Sequence, residues 1–221
     1  MKDNVHTAGL GASLVVLSSM FTAAGAQAAD RIDRLPDRMC QGVAATGQTQ
    51  CFYTNGDLGT CGPSGTGTGQ DGEYQNGWTL GRYPRFTDRG DGTVKDNLTG
   101  LTWLKNADCF GLRGWTRALE DANTLASPSC GLADGSVAGD WRLPNIREIQ
   151  SLIDYGQFDP ALPPVQPFSA VQSATAYWSS TSFQGVPNLV WIVGFQGGQI
   201  GLDDKAFAGH DYHVWPVRDG S

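Results

Sequence analysis

The sequence predicts an α+β domain in which two helices lie beside an antiparallel sheet. Short alternating or continuously apolar runs, separated by glycine-containing turns, indicate strands early and late in the domain. Between them, two segments carry apolar residues at helical spacing. Strands, two helices and then several further strands are the order that favours this class.

The early elements are predicted to be a hairpin, a third strand and a helix. Phe86–Asp88 and Thr93–Asp96 alternate as strands do, and residues 89–92 between them contain two glycines that suit a turn. Leu101–Leu104 predicts another strand. The first helix is predicted from Trp115 to Leu125, because the apolar residues of this segment share one helical face: Trp115, Ala118, Leu119, Ala122 and Leu125.

The second predicted helix, from Asn145 to Tyr155, has an unusual start. The run Trp-Arg-Leu-Pro at 141–144 precedes Asn145, which is a good helix cap, and Glu148 follows three residues later as in a capping box. The helix has one apolar stripe, which consists of Ile146, Ile149, Leu152 and Ile153.

The last third of the domain is predicted to be rich in strands. A proline-rich passage, residues 160–167, excludes helix and central strand before it. The predicted strands are Tyr177–Thr181, Val190–Phe195, Ile200–Leu202 and Tyr212–Arg218, and Pro216 in the last of them suits an edge or a strand end.

The amino-terminal residues indicate export. Leu10–Ala26 carries no charge, and Ala26-Gln27-Ala28 is a small-x-small cleavage signal, so residues 1–28 are predicted to be a signal peptide. A membrane anchor is the alternative, but the apolar segment is short for a span. We therefore expect a protein of the periplasm, the cell surface or the extracellular space, without membrane insertion of the mature chain.

Composition limits the partners of the mature chain. Removing residues 1–28 removes one Lys and one Asp, so the 15 basic and 22 acidic residues become 14 and 21, and the net charge stays at −7. This charge excludes a general electrostatic affinity for nucleic acid or an anionic membrane. Residues 29–82 are predicted to be an irregular arm with a glycine-rich linker at 62–72, and residues 83–221 the main domain.

Five cysteines follow the predicted signal peptide. Cys51 and Cys61 flank an Asn-Gly turn signal, and Cys109 and Cys130 flank the first helix, so two bridges are expected in an oxidising compartment. Metal ligation is the rival interpretation, but the sequence has no C-x-x-C pair. Cys40 is left over: it is free, links two chains or displaces one of these partners.

Four segments resemble the Lcl C-terminal domain family, the carboxy-terminal module of a bacterial collagen-like adhesin. They cover about residues 83–219 in the family's order: Phe-Thr-Asp-x-Gly-Asp-Gly-Thr-Val-x-Asp-Asn-Leu-Thr-Gly-Leu-x-Trp at 86–103, Asp-Trp-Arg-Leu-Pro-Asn at 140–145, Tyr-Trp-Ser-Ser-Thr at 177–181 and Val-x-Pro-Val-Arg at 214–218.

This resemblance implies an exported or surface-exposed domain that adheres to polysaccharide. The Arg-Leu-Pro run also resembles that of formylglycine-generating-enzyme-like proteins, which implies a C-type lectin-like fold. The chain departs from the adhesin because it lacks a Gly-X-Y collagen stalk, so trimerisation through such a stalk does not carry over. In C-type lectin-like folds the late loops and strands usually present the ligand surface.

Catalysis and metal binding are weaker interpretations. A catalytic Ser–His–Asp triad could consist of Ser179 or Ser180 with His210 and Asp211, but no nucleophile-elbow motif surrounds either serine. We therefore predict no enzyme and no cofactor. Calcium ions prefer carboxylate oxygens, which makes Asp203-Asp204 and the hairpin carboxylates candidates, although turn formation also explains the latter: Asp88, Asp91 and Asp96.

The favoured function is a non-enzymatic module that binds polysaccharide or another extracellular ligand. Sugars need aromatic faces with nearby polar groups, and the late segments supply them: Tyr177, Trp178, Ser180, Asp203, Asp204, Lys205, Phe207, His210, Asp211 and Tyr212. Structural roles are predicted for Trp141, Arg142, Pro144, Asn145 and Arg218, with both arginines bonding backbone carbonyls. The alternative is a structural subunit that self-assembles into a surface layer or filament through residues 29–82, with Cys40 as a possible link.

Overall fold

A computed structural model describes residues 44–62, 69–77, 79, 84–207 and 209–220, all within one compact unit, Cys40–Ser221. The predicted signal peptide, Cys40 and most of the glycine-rich linker lie outside the described residues. The unit is a mixed domain of few helices, antiparallel sheets and two disulfide bridges, as predicted at this level. Across the described residues, no helix combines the length and apolar character needed to cross a membrane.

The lead-in segment, of which residues 44–62 and 69–77 are described, is folded back onto the main domain. It contains strands β1 (Cys51–Phe52) and β2 (Leu58–Gly59), closed by the Cys51–Cys61 bridge, and a short helix α1 (Asp71–Tyr74) that was not predicted. The Tyr155 amide donates to the Thr46 carbonyl at 2.7 Å. The Thr46 hydroxyl donates to Asp71, which ties α1 to the same point.

The first sheet of the main domain has the order β3-β4-β5-β9, and every neighbouring pair is antiparallel. The predicted hairpin is present, and Gly90 and Gly92 adopt the positive φ angles of 74° and 85° that its turn requires. The strands are β3 (Phe86–Asp88), β4 (Thr93–Asp96), β5 (Thr102–Leu104) and β9 (Val217–Arg218).

The final strand is much shorter than the predicted Tyr212–Arg218. His213 pairs with Tyr177 of the second sheet, whereas Val217 pairs with Trp103 of the first. The segment between them crosses from one sheet to the other, and Pro216 has no N–H for a ladder. One run of sequence therefore joins two sheets instead of forming a single strand.

The second sheet is an antiparallel meander with the order β6-β7-β8. Its strands are β6 (Ala176–Ser182), β7 (Leu189–Gly194) and β8 (Gln199–Asp204), and all three cover the predicted positions except for Phe195, which begins the turn. Residues 195–198 connect β7 to β8, as the sequence predicts.

Two helices pack beside the sheets. Helix α2 (Trp115–Thr124) buries Ala118 and Ala122 in a cluster with Trp178 of β6, as its apolar face predicts. The Cys109–Cys130 bridge joins the loop before α2 to the turn that follows it.

Helix α3 (Ile146–Gln150) ends earlier than predicted. The Leu152 and Ile153 amides form tighter i→i−3 bonds, and the Asp154 amide turns away to the Ala161 carbonyl. Both apolar side chains of this turn, Leu152 and Ile153, are nevertheless buried. The apolar stripe therefore predicted the buried residues correctly, but the predicted helix was too long.

Aromatic rings fill the space between the sheets. The indole of Trp215 lies at their centre, 5.8 Å from the Trp103 ring and 4.9 Å from the Phe168 ring, and its Nε1 donates to the Leu104 carbonyl at 2.9 Å. Tyr177 and Phe195 pack against the same indole at 5.4 Å each. Aromatic pairs at such distances stabilise a core beyond the area they bury.

Candidate functional site

A cluster of late residues forms around a carboxylate at the end of β8. His210 Nδ1 lies 2.7 Å from one oxygen of Asp203, and the Tyr212 hydroxyl donates to the other. The Phe207 ring lies 4.4 Å from the His210 ring, centroid to centroid. We call these four residues the late-loop cluster: Asp203, Phe207, His210 and Tyr212.

The cluster shifts the acidities of its own groups. Partial burial raises the Asp203 pKa, but the hydrogen bonds from Tyr212 and His210 outweigh that effect and leave the pKa below its usual value. Burial, followed by the hydrogen bond to Asp203, raises the pKa of Tyr212 to about 12. Asp203 is therefore an anion and Tyr212 a neutral donor throughout the physiological range.

Phe207 gives this cluster an open aromatic face. Its side chain is 61% exposed, although its ring contacts His210. On the buried side, the Tyr212 ring packs edge-on against Trp178 at 4.7 Å. The cluster therefore runs from the core, through a fixed carboxylate, to an aromatic ring in solvent.

Other predicted binding residues are engaged in building the loop. Lys205 donates to Ser182 Oγ at 2.5 Å and to the Pro187 carbonyl at 2.7 Å, and its ammonium lies 4.5 Å from the centre of the Trp115 ring. Asp204 accepts hydrogen bonds from Asn188 and from the Ala206 amide. The contacts of both side chains hold residues 204–206 against the sheet.

Two aromatic candidates belong to the core instead of the surface. Tyr177 and Trp178 are both 0% exposed. The Trp178 indole donates to the Arg113 carbonyl at 2.6 Å, and the Tyr177 hydroxyl accepts from the Gln172 amide at 2.7 Å. These buried partners satisfy their polar atoms, and both rings lie in the core, which corrects their expected place on a ligand-facing surface.

Neither of the two candidate serines, Ser179 and Ser180, is hydrogen-bonded to His210, which is paired with Asp203. The Ser179 hydroxyl is buried and donates to the Trp191 carbonyl at 2.7 Å, and the Ser180 hydroxyl donates to the Pro144 carbonyl at 3.2 Å. The exposed carboxylate of Asp211 lies beside Gly114, where helix α2 begins. An anion near a helix amino terminus is favourable, so this position of Asp211 suits the start of α2.

The hairpin carboxylates are also bound to neighbours within the fold. Lys105 Nζ lies 2.6 Å from Asp88, and this contact, with the Gly90 amide, lowers the Asp88 pKa. Asp91 accepts from the amide and hydroxyl of Thr93, while Asp96 accepts from the guanidinium of Arg85 and an amide in the next turn. Over the described residues, no group of three or more His, Cys, Asp or Glu side chains is placed to hold a metal ion.

The helix-start segment, Trp141–Asn145, is held by hydrogen bonds and packing within the fold. Asn145 accepts from the Arg147 and Glu148 amides, and Glu148 accepts from the Asn145 amide, which completes a capping box. The Pro144 carbonyl accepts from Ser180 of β6. Trp141 is fully buried beneath the guanidinium of Arg218, which lies 5.2 Å from the ring centre.

Both arginines bind carboxylates, which corrects the prediction of side-chain bonds to backbone carbonyls. Arg142 forms two hydrogen bonds with Glu148, at 2.7 and 2.8 Å, and one with Asp219 at 2.9 Å. The Glu148 contact is the main reason that the pKa of the Arg142 guanidinium is raised. Arg218 lies 3.2 Å from Asp134.

A cavity of about 330 Å³ lies where the lead-in segment meets helix α3, and sequence reasoning did not predict it. The hydrogen bond from the Tyr155 amide to the Thr46 carbonyl joins the two segments beside it, and this contact has no local sequence signal. The described residues that line it are Ala44, Ala45, Thr46, Arg147, Gln150, Ser151, Ile153 and Tyr155.

The fold and the late-loop cluster define a disulfide-bridged domain of mixed helices and antiparallel sheets with an exposed aromatic at one sheet end. A family model described as the Lcl C-terminal domain matches residues 92–218, which is more than half of the chain. The chain therefore belongs to the Lcl C-terminal domain family. No curated protein matches it.

Proposed function

We propose that the protein is an exported, non-enzymatic module of C-type lectin-like type that adheres to polysaccharide through the late-loop cluster. The observation that carries this proposal is the exposed ring of Phe207, held against His210 while His210 is held by Asp203. A rigid aromatic face beside fixed polar groups is what sugar recognition requires.

The cluster supplies both halves of a sugar contact. The Phe207 face suits the apolar C–H surface of a pyranose ring, and the Asp203 carboxylate suits its hydroxyl groups. The exposed Asp211, next to His210 in the chain, adds a second carboxylate outside the cluster. Since Tyr212 and His210 already orient Asp203, little side-chain freedom remains to be lost on binding. The net charge of −7 and the carboxylates favour a neutral polymer over a sulfated one.

The engagement of the serines supports a binding function over hydrolysis. Ser179 and Ser180 each donate to a backbone carbonyl, and His210 is paired with Asp203 instead of either serine. A hydrolase would need a nucleophile within hydrogen-bond reach of its base. The hydrogen bonds of the two serines therefore favour a protein that binds its ligand without hydrolysing it.

A glycan array with neutral, carboxylated and sulfated glycans tests the proposal, followed by titration calorimetry with the oligosaccharide that binds. We expect neutral glycans to bind and Phe207→Ala to weaken binding by about tenfold, as the loss of one stacking contact implies. Phe158→Ala is the matched control, because Phe158 is 71% exposed and its ring lies near Gly197, at the opposite end of the same sheet. Absence of glycan binding, or equal loss in both variants, overturns the proposal.

Self-assembly through residues 29–82 is the second candidate function. The described part of this segment is tied to the main domain by the Thr46 contacts and by its own Cys51–Cys61 bridge, which favours a folded extension over a free connecting arm. Cys40 lies outside the described residues. Reductant-sensitive assembly that disappears in Cys40→Ser would move this candidate to first place.

A further inference from the structure

Strand β8 has an outer edge that the described residues leave uncovered. It is the terminal strand of the β6-β7-β8 sheet. The other long edge, on β6, is covered because Trp178 donates to the His213 carbonyl and Ser180 to the Pro144 carbonyl. In the first sheet, the β9 edge is covered because Arg142 exchanges backbone hydrogen bonds with Val217. The opposite edge of that sheet is β3, which is only three residues long. Natural sheets commonly protect their edges in such ways.

The hydrogen-bond phase of β8 shows which of its backbone groups face outward. The Lys205 amide donates to the Asn188 carbonyl at 3.0 Å, which continues the β7–β8 ladder as a bonded pair. Bonded and non-bonded pairs alternate in an antiparallel ladder, so the backbone of Gly201 faces β7. The N–H and C=O groups of Ile200 and Leu202 therefore point away from β7, and nothing in the described part of the chain accepts or donates to them.

The side chains of these same two residues form an apolar strip. Ile200 and Leu202 are 38% and 37% exposed, and they lie on the sheet face that also carries Trp191, the partner of Leu202 in register. Phe183 packs edge-on against Trp191 at 5.7 Å and extends the strip. A six-residue edge strand in which two residues combine free backbone groups with partly exposed apolar side chains is suited to pairing with another strand.

We propose that β8 pairs antiparallel with β8 of a second copy of this chain, so that two meanders form one six-stranded sheet. The outward backbone groups fix the register, with Ile200 opposite the partner's Leu202 and Gly201 opposite the partner's Gly201. Each β8 then gains hydrogen bonds through both outward residues, and each Ile200 packs beside a leucine.

The sequence of β8 is complementary to itself in this register. Asp203 lies opposite the partner's Gln199, and Asp204 opposite the partner's Gly198, so no carboxylate faces another. Gly201 meets its own copy at the axis, where the closest Cα approach of an antiparallel pair occurs and no side chain obstructs it. This match to its own sequence is the reason for assigning the edge to a second copy.

Pairing would give the assembly two ligand sites on one surface, a consequence that rests on the proposed function. Asp203 projects to the sheet face opposite Ile200 and Leu202, because successive side chains alternate. A two-fold axis perpendicular to the sheet keeps both late-loop clusters on that face. A long polysaccharide could then bind both clusters, and the second contact would be intramolecular.

Sedimentation velocity of the oxidised, exported chain over a range of concentrations tests the pairing, with Cys40→Ser present to remove any disulfide link. We expect a reversible monomer–dimer equilibrium. Amide hydrogen exchange gives a residue-level readout: protection of Ile200 and Leu202 rises with protein concentration, whereas Gly201, bonded to β7 within each copy, stays protected at every concentration. A chain that remains monomeric, or protection at Ile200 that ignores concentration, overturns the proposal.

Two variants locate the interface. Ile200→Lys places a charge on the strip, and Leu202→Pro removes an outward N–H that the monomer does not use. Each should raise the dimer dissociation constant by about tenfold or more while leaving the melting temperature of the monomer nearly unchanged. Val137→Lys is the control, since Val137 is equally apolar and 62% exposed but lies outside both sheets.

The outcomes separate this inference from the proposed function. A monomeric Ile200→Lys variant that binds a short oligosaccharide as wild type does, but binds the polymer more weakly, supports both. A dimer that persists in Ile200→Lys and Leu202→Pro contradicts pairing through β8 whatever the glycan result. If only the Phe207→Ala experiment fails, the proposed glycan binding is overturned and the proposed pairing through β8 is unaffected.

Discussion

The helix-start segment and the late-loop cluster are each organised around one carboxylate, yet their surroundings differ. Glu148 accepts two hydrogen bonds from Arg142, and the residue before Arg142 in the chain is the buried Trp141. Asp203 accepts from His210 and Tyr212, next to the exposed ring of Phe207. A carboxylate that orients its neighbours therefore stabilises the fold where the neighbouring aromatic is buried, and prepares a surface where that aromatic is in solvent.

Removing the buried ring of Trp141 should have the largest effect on stability, and it tests whether the helix-start segment supports the core. Trp141→Ala leaves a cavity in the core and should lower the free energy of unfolding by about 3–5 kcal/mol, measured by urea denaturation. Phe158→Ala, at an exposed ring, is the control and should change it by less than about 0.5 kcal/mol. A small loss in Trp141→Ala would mean that the helix-start segment does not support the core.

Breaking the ion pair at α3 should have a smaller effect. Arg142→Ala leaves Glu148, whose side chain is only 15% exposed, without its partner, but Arg142 is itself 40% exposed and screened by solvent. We expect a loss of about 1–2 kcal/mol in the free energy of unfolding. Arg117→Ala removes a more exposed arginine and should cost less than about 0.5 kcal/mol. Equal losses in the two variants would contradict a special role for the Glu148 pair.

The smallest effect is expected in the late-loop cluster and concerns its pH dependence. The folded-state pKa of Tyr212, about 12, exceeds the value near 10 of an unfolded tyrosine, so its contribution is complete below pH 10 and is lost as the pH rises toward 12. Tyr212→Phe keeps the ring against Trp178 and should reduce this alkaline loss of stability. Asp203 acts at the other end: its lowered pKa contributes above about pH 4 and is lost on further acidification.

Chemical denaturation of wild type and Tyr212→Phe across the alkaline range measures the difference. Tyr177, whose pKa burial raises strongly, titrates in both proteins and cancels in the comparison. Identical alkaline profiles would show that Tyr212 does not hold its proton through Asp203, and would weaken the view of the cluster as a preorganised site.

Much of the local structure could be predicted because it depends on neighbours in sequence. The Asn145–Glu148 capping box lies within one helical turn, and the Gly90–Gly92 turn needs only residues that accept positive φ. The site could be predicted only in part. Asp203, Phe207, His210 and Tyr212 do come together, but Tyr177 and Trp178 of the same candidate set are core residues, since burial depends on what packs against both faces of β6.

By itself, the sequence determined the class of the domain, its two helices and most of its strands, because periodicity, caps and turns act over a few residues. Tertiary structure alone decided where the final segment crosses between sheets, where α3 stops, which carboxylates Arg142 and Arg218 bind, and that β8 has an open edge. Each of these depends on contacts between residues distant in the chain. Such contacts leave no periodic signal, because they are selected by the packing of whole elements and not by neighbouring residues.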